Sequence, residues 1–301
     1  MTIEERIRAL KEEKNALVLA HNYQRPGIQD LADFVGDSLE LARMAEGTKK
    51  PVIVFCGVLF MAETAKILNP ERKVLIPVRD AKCPLADQLT PAMLARARAE
   101  HPGAAVVLYI NSTAECKALA DIVCTSANAV DVVRSLDATE VIVAPDANLA
   151  AYVQSRVLEK RVIAIPPAGH CYVHQCFSTQ DVVSARDRGD TVICHPECRP
   201  EIQEMADLVA STGGMVRALR GQQPGRRWTI LTEREMAYRL RTLYPDQEVH
   251  VRDDAVCRDM KKITTRDLLL SLEREQYEVI LPQETMEKAR RAIRRMLEAG
   301  Q

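Results

Sequence analysis

The chain has 301 residues, of which 47% are hydrophobic and 28% charged, and its net charge at pH 7 is −1. This composition is typical of a soluble protein of two or three domains, and the near-neutral charge argues against a general nucleic-acid or anionic-membrane surface. The longest apolar run is too short to cross a bilayer and the charged N-terminal segment is unlike a signal peptide, so we expect a cytoplasmic protein with no membrane or nucleic-acid partner.

Short apolar strands and amphipathic helices alternate along the chain. In the first unit the predicted segments are strand Ala16–Ala20, helix Gln29–Phe34, a helix capped by Ser38, strand Pro51–Phe55, helix Met61–Leu68 and strand Lys73–Pro77. The second unit has strand Ala105–Leu108, helix Lys117–Ile122, a helix capped by Ser126, strand Glu140–Ala144, helix Leu149–Val153 and strand Arg161–Ile165. The third has strand Thr191–Cys194, a helix capped by Thr212, strand Trp228–Leu231, helix Glu235–Leu240 and strand Glu248–Val251. A last strand, Glu278–Leu281, and a basic helix are expected to pack back on the first unit.

One motif occurs three times in this pattern. Leu31-Ala-Asp-Phe-Val-Gly-Asp-Ser38 aligns without gaps with residues 119–126 and 205–212, at offsets of 88 and then 86 residues. Repeats of this length, with alternating strands and helices, predict an α/β protein of three similar parallel-sheet domains in pseudo-threefold arrangement around a central active site. The predicted domains are 1–85 with 260–301, then 86–173, then 174–259.

The same offsets relate residues with chemically active side chains. The four triplets are Cys83, Cys171 and Cys257; His21, Tyr109 and His195; Tyr23, Asn111 and Glu197; and Ser38, Ser126 and Thr212. Core positions rarely hold such polar residues, and function in parallel-sheet units gathers at the carboxyl ends of the strands, so we expect the triplets to meet in one cavity. The remaining six cysteines, predicted to be packing residues, are Cys56, Cys116, Cys124, Cys176, Cys194 and Cys198. The pair Cys194 and Cys198 lacks the second pair that a structural zinc site would need.

Nine cysteines at irregular spacing indicate thiols or metal ligands in a reducing compartment, not a disulfide framework. Three thiolates without a fourth leave a metal centre with an open position, which fits either a [4Fe–4S] cluster or zinc with water. Hydroxyls at predicted helix N-termini suit anion binding as well as capping. Acid–base candidates are His21, Tyr23, His195 and Glu197, and His174 is a further candidate because it lies three residues after Cys171.

Several segments resemble the quinolinate synthase family over nearly the whole chain. They are Ala20-His-Asn-Tyr-Gln24, Gly36–Ala42, Phe60–Pro70, Tyr109-Ile-Asn-Ser112, Thr125–Ala129, His195-Pro-Glu-Cys198, Ser211-Thr-Gly-Gly-Met215 and Met260-Lys-Lys-Ile-Thr264. The resemblance implies three similar α/β domains and a [4Fe–4S] cluster on Cys83, Cys171 and Cys257. It also implies condensation of iminoaspartate with dihydroxyacetone phosphate to quinolinate, for NAD synthesis, with iminoaspartate supplied by an L-aspartate oxidase.

The resemblance further implies roles for the triplets. The expected ligands of the substrate carboxylates and phosphate are His21, Ser38, Tyr109, Asn111, Ser126, His195 and Thr212. Tyr23 and Glu197 would serve in acid–base steps, and the iron without a cysteine ligand would act as a Lewis acid. The alternatives are a zinc-dependent lyase or aldolase on the same cysteines, a non-catalytic cluster-bearing redox sensor, and a solute-binding protein.

Overall fold

The chain folds into three four-stranded parallel sheets with flanking helices. The computed structural model describes residues 2–299. The sheets are β1 Ala16–His21, β2 Phe34–Gly36, β3 Val52–Cys56 and β4 Lys73–Leu75; β5 Ala105–Tyr109, β6 Ile122–Cys124, β7 Glu140–Ala144 and β8 Arg161–Ala164; β9 Thr191–Cys194, β10 Leu208–Val209, β11 Arg227–Leu231 and β12 Glu248–Val251. All three have one strand order, β2-β1-β3-β4, β6-β5-β7-β8 and β10-β9-β11-β12. The predicted α/β fold of three similar domains is therefore confirmed.

Helices flank each sheet and connect its strands. They are α1 Ile3–Glu13, α2 Pro26–Gln29, α3 Ser38–Gly47, α4 Leu59–Leu68 and α5 Pro84–Asp87; α6 Pro91–Glu100, α7 Ala114–Lys117, α8 Ala129–Arg134 and α9 Ala147–Arg156; α10 Thr179–Asp187, α11 Pro200–Met205, α12 Thr212–Leu219 and α13 Glu235–Leu243; and α14 Thr265–Arg274 and α15 Gln283–Glu298. Across residues 2–299, none of these helices combines the length and apolar character needed to cross a membrane. The domain boundaries stay a prediction, and their outer ends at Met1 and Gln301 lie outside the described residues.

The two central strands of each sheet hold its core. β1 and β3 are buried along their whole length, and β5, β7, β9 and β11 are buried except at their first residue. Such strands have helices on both faces, which is why they are continuous runs of Val, Ile, Leu and Ala without polar alternation. All strand pairs are parallel, so the carboxyl ends of the strands in each domain lie at one edge.

The repeated Leu-Ala-Asp motif does not form a helix, so the helices predicted at Gln29–Phe34 and Lys117–Ile122 were wrong. Its aspartate accepts a hydrogen bond from an amide of the first strand of its own sheet and leads into the short edge strand. These bonds join Asp33 to Val18 at 2.7 Å, Asp121 to Val106 at 2.7 Å and Asp207 to Val192 at 2.8 Å. An aspartate side chain that bonds the backbone in this way competes with helical hydrogen bonding.

The predicted caps at Ser38, Ser126 and Thr212 were also wrong, by one or two residues. Asp37 caps α3, and Ser211 caps α12. Ser38 and Thr212 are the first residues of those helices, and Ser126 lies in the turn before α8, whose N-cap position is Asn128. The cap is therefore a separate side chain, and the repeated hydroxyl is available for another partner.

The tail differs from its prediction in two respects. Residues 278–281 do not form a strand, because Glu278 makes only one antiparallel bridge, to Leu75. Helix α14 packs on α1, whereas α15, which was expected to pack on the first unit, contacts α4 of the first domain and also α7 and β6 of the second. The buried residues of α15 recur at helical spacing: Ala289, Ala292, Ile293, Met296 and Leu297. This apolar stripe joins the two domains.

Candidate active site

A cavity of about 610 Å³, including its mouth, lies where the strand ends of the three domains meet. All twelve predicted site residues line it: His21, Tyr23, Ser38, Cys83, Tyr109, Asn111, Ser126, Cys171, His195, Glu197, Thr212 and Cys257. The remaining lining residues are Asp37, Val58, Phe60, Met61, Val173, His174, Glu233 and Met260. The structure thus brings the four triplets together in one place.

The three lining cysteines have the same local setting. Each follows the last strand of its domain, and the backbone amide of the residue three positions later favours the thiolate form of each: Ala86 for Cys83, His174 for Cys171 and Met260 for Cys257. Burial raises the pKa of all three thiols, and these amides oppose that rise. Positive partial charge of this kind stabilises a thiolate, which is the form that binds a metal.

The three loops that carry these cysteines contact one another pairwise, so that together they form a ring. The Gln88 side chain exchanges two hydrogen bonds with the backbone of His170, at 3.0 and 3.1 Å. The Arg258 amide donates to the Tyr172 hydroxyl at 2.7 Å. Lys262 Nζ lies 2.9 Å from the carboxylate of Asp80. We call this ring the cysteine collar (80–88, 170–172 and 257–262), and all three of its contacts are exposed to solvent.

His21 and His195 occupy equivalent positions and have equivalent hydrogen bonds. The amide of Tyr23 donates to His21 Nδ1 at 3.2 Å, and that of Glu197 donates to His195 Nδ1 at 3.3 Å. Because Nδ1 accepts, the proton of each neutral ring lies on Nε2. Burial lowers the pKa of both imidazoles to about 3, so both are neutral hydrogen-bond donors at physiological pH.

Glu197 is a buried carboxylate held from three sides. Its Oε1 accepts from the Tyr109 hydroxyl at 2.6 Å and from Asn111 Nδ2 at 3.2 Å, while its Oε2 lies 2.7 Å from His174 Nδ1. Burial alone would raise the pKa of Glu197, but the His174 and His195 rings and the Tyr109 bond outweigh it and lower that pKa below its usual range. Glu197 is therefore ionised inside the cavity.

A chain of close polar contacts connects Tyr23 with Glu197. The Tyr23 hydroxyl lies 2.6 Å from the Thr232 hydroxyl, which lies 2.9 Å from His174 Nε2. His174 completes the chain to Glu197 and stacks on His195 with 4.6 Å between ring centroids. Burial, together with the Glu197 charge, raises the pKa of Tyr23 well above its usual value, so Tyr23 keeps its proton.

Two helix N-termini point their first residues at the cavity. Ser38 begins α3 and Thr212 begins α12, and Thr212 Oγ1 accepts from Asn22 Nδ2 at 2.9 Å. The two ends lie close together, because Ser211 donates to Asp37 at 3.3 Å. A Cβ at Gly213 would lie 2.5 Å from an Asp37 oxygen, which explains why this position is a glycine.

Three buried polar residues beside the cavity were missed by the sequence analysis. Thr232 and Glu233 follow strand β11, and Asp146 follows β7 at the position equivalent to Thr232. Lys261 Nζ lies 2.8 Å from Glu233 Oε1, which also accepts the Cys257 amide at 3.2 Å. Two signals in the sequence point to them. Functional residues gather at the carboxyl ends of parallel strands, and the repeat offset of 86 residues relates Asp146 to Thr232.

The described residues contain one group whose metal-ligating atoms all lie within 4.8 Å of one another: Cys171, His174 and Glu197. It includes one of the three lining cysteines, and His174 and Glu197 are buried whereas Cys171 is half-buried. None of the six other cysteines lines the cavity, and all but the half-buried Cys176 are buried among apolar side chains. The separation of the cysteines into two kinds thus agrees with where the structure places them.

Comparisons with known proteins agree on one family. The family model described as "Quinolinate synthetase A protein" matches residues 5–298. The chain is 53% identical to the quinolinate synthase of Pyrococcus horikoshii over 302 residues, 99% of each chain. It is 50% identical to that of Methanocaldococcus jannaschii, over 99% of each chain, and 49% identical to that of Thermotoga maritima, over 96% of this chain and 97% of the relative.

Proposed function

The chain belongs to the quinolinate synthase family and is an enzyme of that kind, and we propose that it condenses iminoaspartate with dihydroxyacetone phosphate in NAD biosynthesis. The products are quinolinate, phosphate and two water molecules, which balances all atoms of the two substrates. A cytoplasmic location and the supply of iminoaspartate by an L-aspartate oxidase belong to the same proposal.

The cysteine triad supports the proposed [4Fe–4S] cluster. Its donor set consists of three thiols from three domains, and a backbone amide favours the thiolate form of each. Thiolates with amide donors are the usual ligands of iron–sulfur clusters. When bound, a cluster on Cys83, Cys171 and Cys257 would supply one iron without a cysteine ligand, a Lewis acid for a substrate hydroxyl or carboxylate.

The cavity suits a substrate with several negative groups, although no lysine or arginine of the described residues lines it. Its donors are neutral: the Nε2–H groups of His21 and His195, and hydroxyls at the starts of α3 and α12. Free N–H groups and the helix dipole favour anions at those helix ends. Neutral donors can bind two carboxylates and a phosphate without forming ion pairs with them. Because no ion pair has to be broken, this arrangement favours phosphate release.

The chain from Tyr23 to Glu197 supports proton transfer. Glu197 is ionised and therefore fit to accept a proton from a carbon next to a carbonyl or imine, while Tyr23 keeps its proton and is fit to donate one. Thr232 and His174 lie between them at hydrogen-bond distance and can return the proton from one to the other. Condensation followed by dehydration needs both kinds of step at one site.

Apolar side chains exclude water from part of the cavity. Val58, Phe60, Met61 and Met260 line it and are each no more than 5% exposed. An imine such as iminoaspartate hydrolyses in water, so a dry wall beside the reacting groups protects it. The apolar wall therefore fits an unstable imine substrate.

The single observation that carries the proposal is the meeting of three repeat-related thiols and nine repeat-related polar groups in one cavity. The test is to purify the protein without oxygen, count iron and sulfide, and supply dihydroxyacetone phosphate with iminoaspartate formed from oxaloacetate and ammonium. We expect about four irons per chain, as one cubane requires, with quinolinate and phosphate formed together. Iron-free protein that holds zinc and forms no quinolinate would overturn the proposal and favour the zinc-dependent lyase.

A further inference from the structure

The loop at residues 22–25, which carries Tyr23, is bonded in both directions to the segment that follows Cys257. The Lys261 ammonium donates to the backbone carbonyl of Tyr23. In return, the Arg25 guanidinium donates two hydrogen bonds to the backbone carbonyl of Lys261, from Nε at 3.1 Å and from Nη2 at 2.7 Å. Each segment thus holds the main chain of the other. We call this set of contacts the Arg25–Lys261 clamp.

The ammonium of Lys261 is itself held in place. Its Nζ lies 2.8 Å from Glu233 Oε1 and 3.9 Å from Glu235 Oε1. An ammonium has three protons to donate, and the Tyr23 carbonyl accepts one of them. The backbone amide of Lys261 donates to the Cys257 carbonyl at 3.2 Å, which closes the turn between the cysteine and the lysine. The clamp therefore joins the Tyr23 loop to the loop of a proposed cluster ligand.

The clamp holds Tyr23 at the end opposite to its hydroxyl. That hydroxyl lies 2.6 Å from the Thr232 hydroxyl, while the backbone carbonyl of the same residue is bonded by Lys261. A reacting group has to be held within about 0.5 Å of its productive position, and supporting hydrogen bonds of this kind provide that precision. Loss of the clamp would leave the Tyr23 main chain free to shift while the cavity keeps its lining residues.

We propose that Arg25 is a positioning residue for Tyr23, because it holds Lys261 where the lysine fixes the main chain of the Tyr23 loop. The inference rests on the proposed function, in which Tyr23 donates a proton. Arg25 is exposed and does not line the cavity, so it acts only through Lys261. Substitution of an exposed side chain usually changes stability little, and it leaves the buried ion pair of Lys261 with Glu233 in place.

The test compares Arg25→Gln with the wild type, with Arg25→Lys and with Arg134→Gln, all reconstituted without oxygen. Arg134 is the matched control, because it is an exposed arginine that donates to a backbone carbonyl, that of Arg156 at 3.0 Å, and does not line the cavity. The first measurement is kcat and KM for quinolinate formation, with iron counts on the same samples. The second is amide hydrogen exchange at residues 22–25. The third repeats the Arg25→Gln comparison in a Tyr23→Phe background.

We expect Arg25→Gln to keep its iron and its KM and to lose about 10- to 100-fold in kcat, since a misplacement of about 1 Å can cost the larger factor. Arg25→Lys keeps a charged donor and should recover part of this loss, while Arg134→Gln should match the wild type. The amides of residues 22–25 should exchange faster in Arg25→Gln than in the control. In the Tyr23→Phe background the same substitution should change kcat by less than about twofold, because its effect passes through the missing hydroxyl.

An unchanged kcat in Arg25→Gln would overturn the inference, and so would unchanged hydrogen exchange of the loop. An equal loss of kcat in the Tyr23→Phe background would overturn it as well, because Arg25 would then act by a route other than Tyr23. Loss of iron from Arg25→Gln would assign the arginine to the cysteine loop, with the same consequence. A wild type that forms no quinolinate would instead overturn the proposed function, and hydrogen exchange would still report on the clamp, so the two failures are distinguishable.

Discussion

Tyr109 of the second domain donates a 2.6 Å hydrogen bond to Glu197 of the third, inside the cavity. The bond contributes to the lowered pKa of Glu197, after the opposing effect of burial and the larger effect of His174. Asn111 donates to the same Oε1, so both second-domain donors bond one carboxylate oxygen and the other lies beside His174. Side chains of the second domain thus position Glu197, a candidate catalytic residue of the third domain.

Tyr109→Phe should shift the acid side of the kcat/KM profile to higher pH. Removing this donor raises the pKa of Glu197, and the enzyme loses activity where that carboxylate takes up a proton. The folded-state pKa lies below the unfolded one, so the stability that Glu197 contributes is present above the unfolded pKa and is lost as pH falls through the folded pKa. Tyr152→Phe, on the outer helix α9, is the control, and an acid limb that stays in place would contradict the prediction.

Tyr23→Phe and Thr232→Val should each keep the cluster and lower kcat by about 100-fold or more, which is the lower end of the usual contribution of general acid–base catalysis. The first variant removes the proposed proton donor, and the second interrupts the chain from Tyr23 to His174. Single-turnover assays of quinolinate with iron counts on the same samples give the measurement. Thr242→Val, on the exposed face of α13, is the control, and normal turnover in Tyr23→Phe would remove Tyr23 from the mechanism.

Cys83→Ser, Cys171→Ser and Cys257→Ser should each lose the cluster, whereas Cys194→Ser should keep it. The three cavity sulfurs have amide donors and line one space, while Cys194 is buried at the end of β9 beside Cys198. Iron and sulfide counts after anaerobic reconstitution provide the comparison. Equal loss from Cys194→Ser would mean that the repeat offsets do not separate ligands from packing residues.

Lys261→Met should destabilise the protein by about 3–5 kcal/mol, the usual effect of leaving one buried charge of an ion pair without its partner. Lys261 and Glu233 are both buried, and their charged atoms lie 2.8 Å apart. The double variant Lys261→Met with Glu233→Gln should regain most of this stability, since neither charge remains. Urea unfolding of the three proteins measures the difference, and a double variant no more stable than the single one would contradict the argument.

Ser38→Ala should change the free energy of unfolding by less than about 0.5 kcal/mol and raise KM, because Ser38 faces the cavity and does not cap its helix. Asp37→Ala, at the neighbouring position, should cost about 1 kcal/mol, since Asp37 accepts the amides of Leu39 and Glu40. Thermal unfolding and steady-state kinetics of the pair separate the two roles. A large stability loss in Ser38→Ala would assign that hydroxyl to the helix.

Several features follow from the chain alone because they depend on local or periodic patterns. Strands β7, β9 and β12 begin and end at the predicted residues, and for β7 and β9 the reason is that a buried parallel strand is a short apolar run between polar residues. The repeat offsets placed twelve site residues at equivalent positions, and all twelve line one cavity. Repeat-related residues occupy the same position in each of the three domains. A threefold pattern of chemically active residues therefore predicts one shared site even when no distance between those residues is known.

Other features depended on contacts that a sequence pattern does not contain. The aspartate of Leu-Ala-Asp bonds a strand 15 residues earlier, which overrides the helical tendency of its neighbours at 29–34. Asp37 outcompetes Ser38 as the cap because its carboxylate reaches two amides of α3.

The sequence by itself determined three repeats, three of the four strands in each, the four triplets and the family. Only the tertiary structure decided which triplet members touch: Tyr109 meets Glu197, His174 and Thr232 connect Tyr23 with that carboxylate, and α15 joins two domains. The physical reason is the separation along the chain between the residues that interact. Hydrophobic periodicity and repeat spacing are properties of short segments, whereas hydrogen bonds between residues 86 or more positions apart depend on how three separately folded sheets pack against one another.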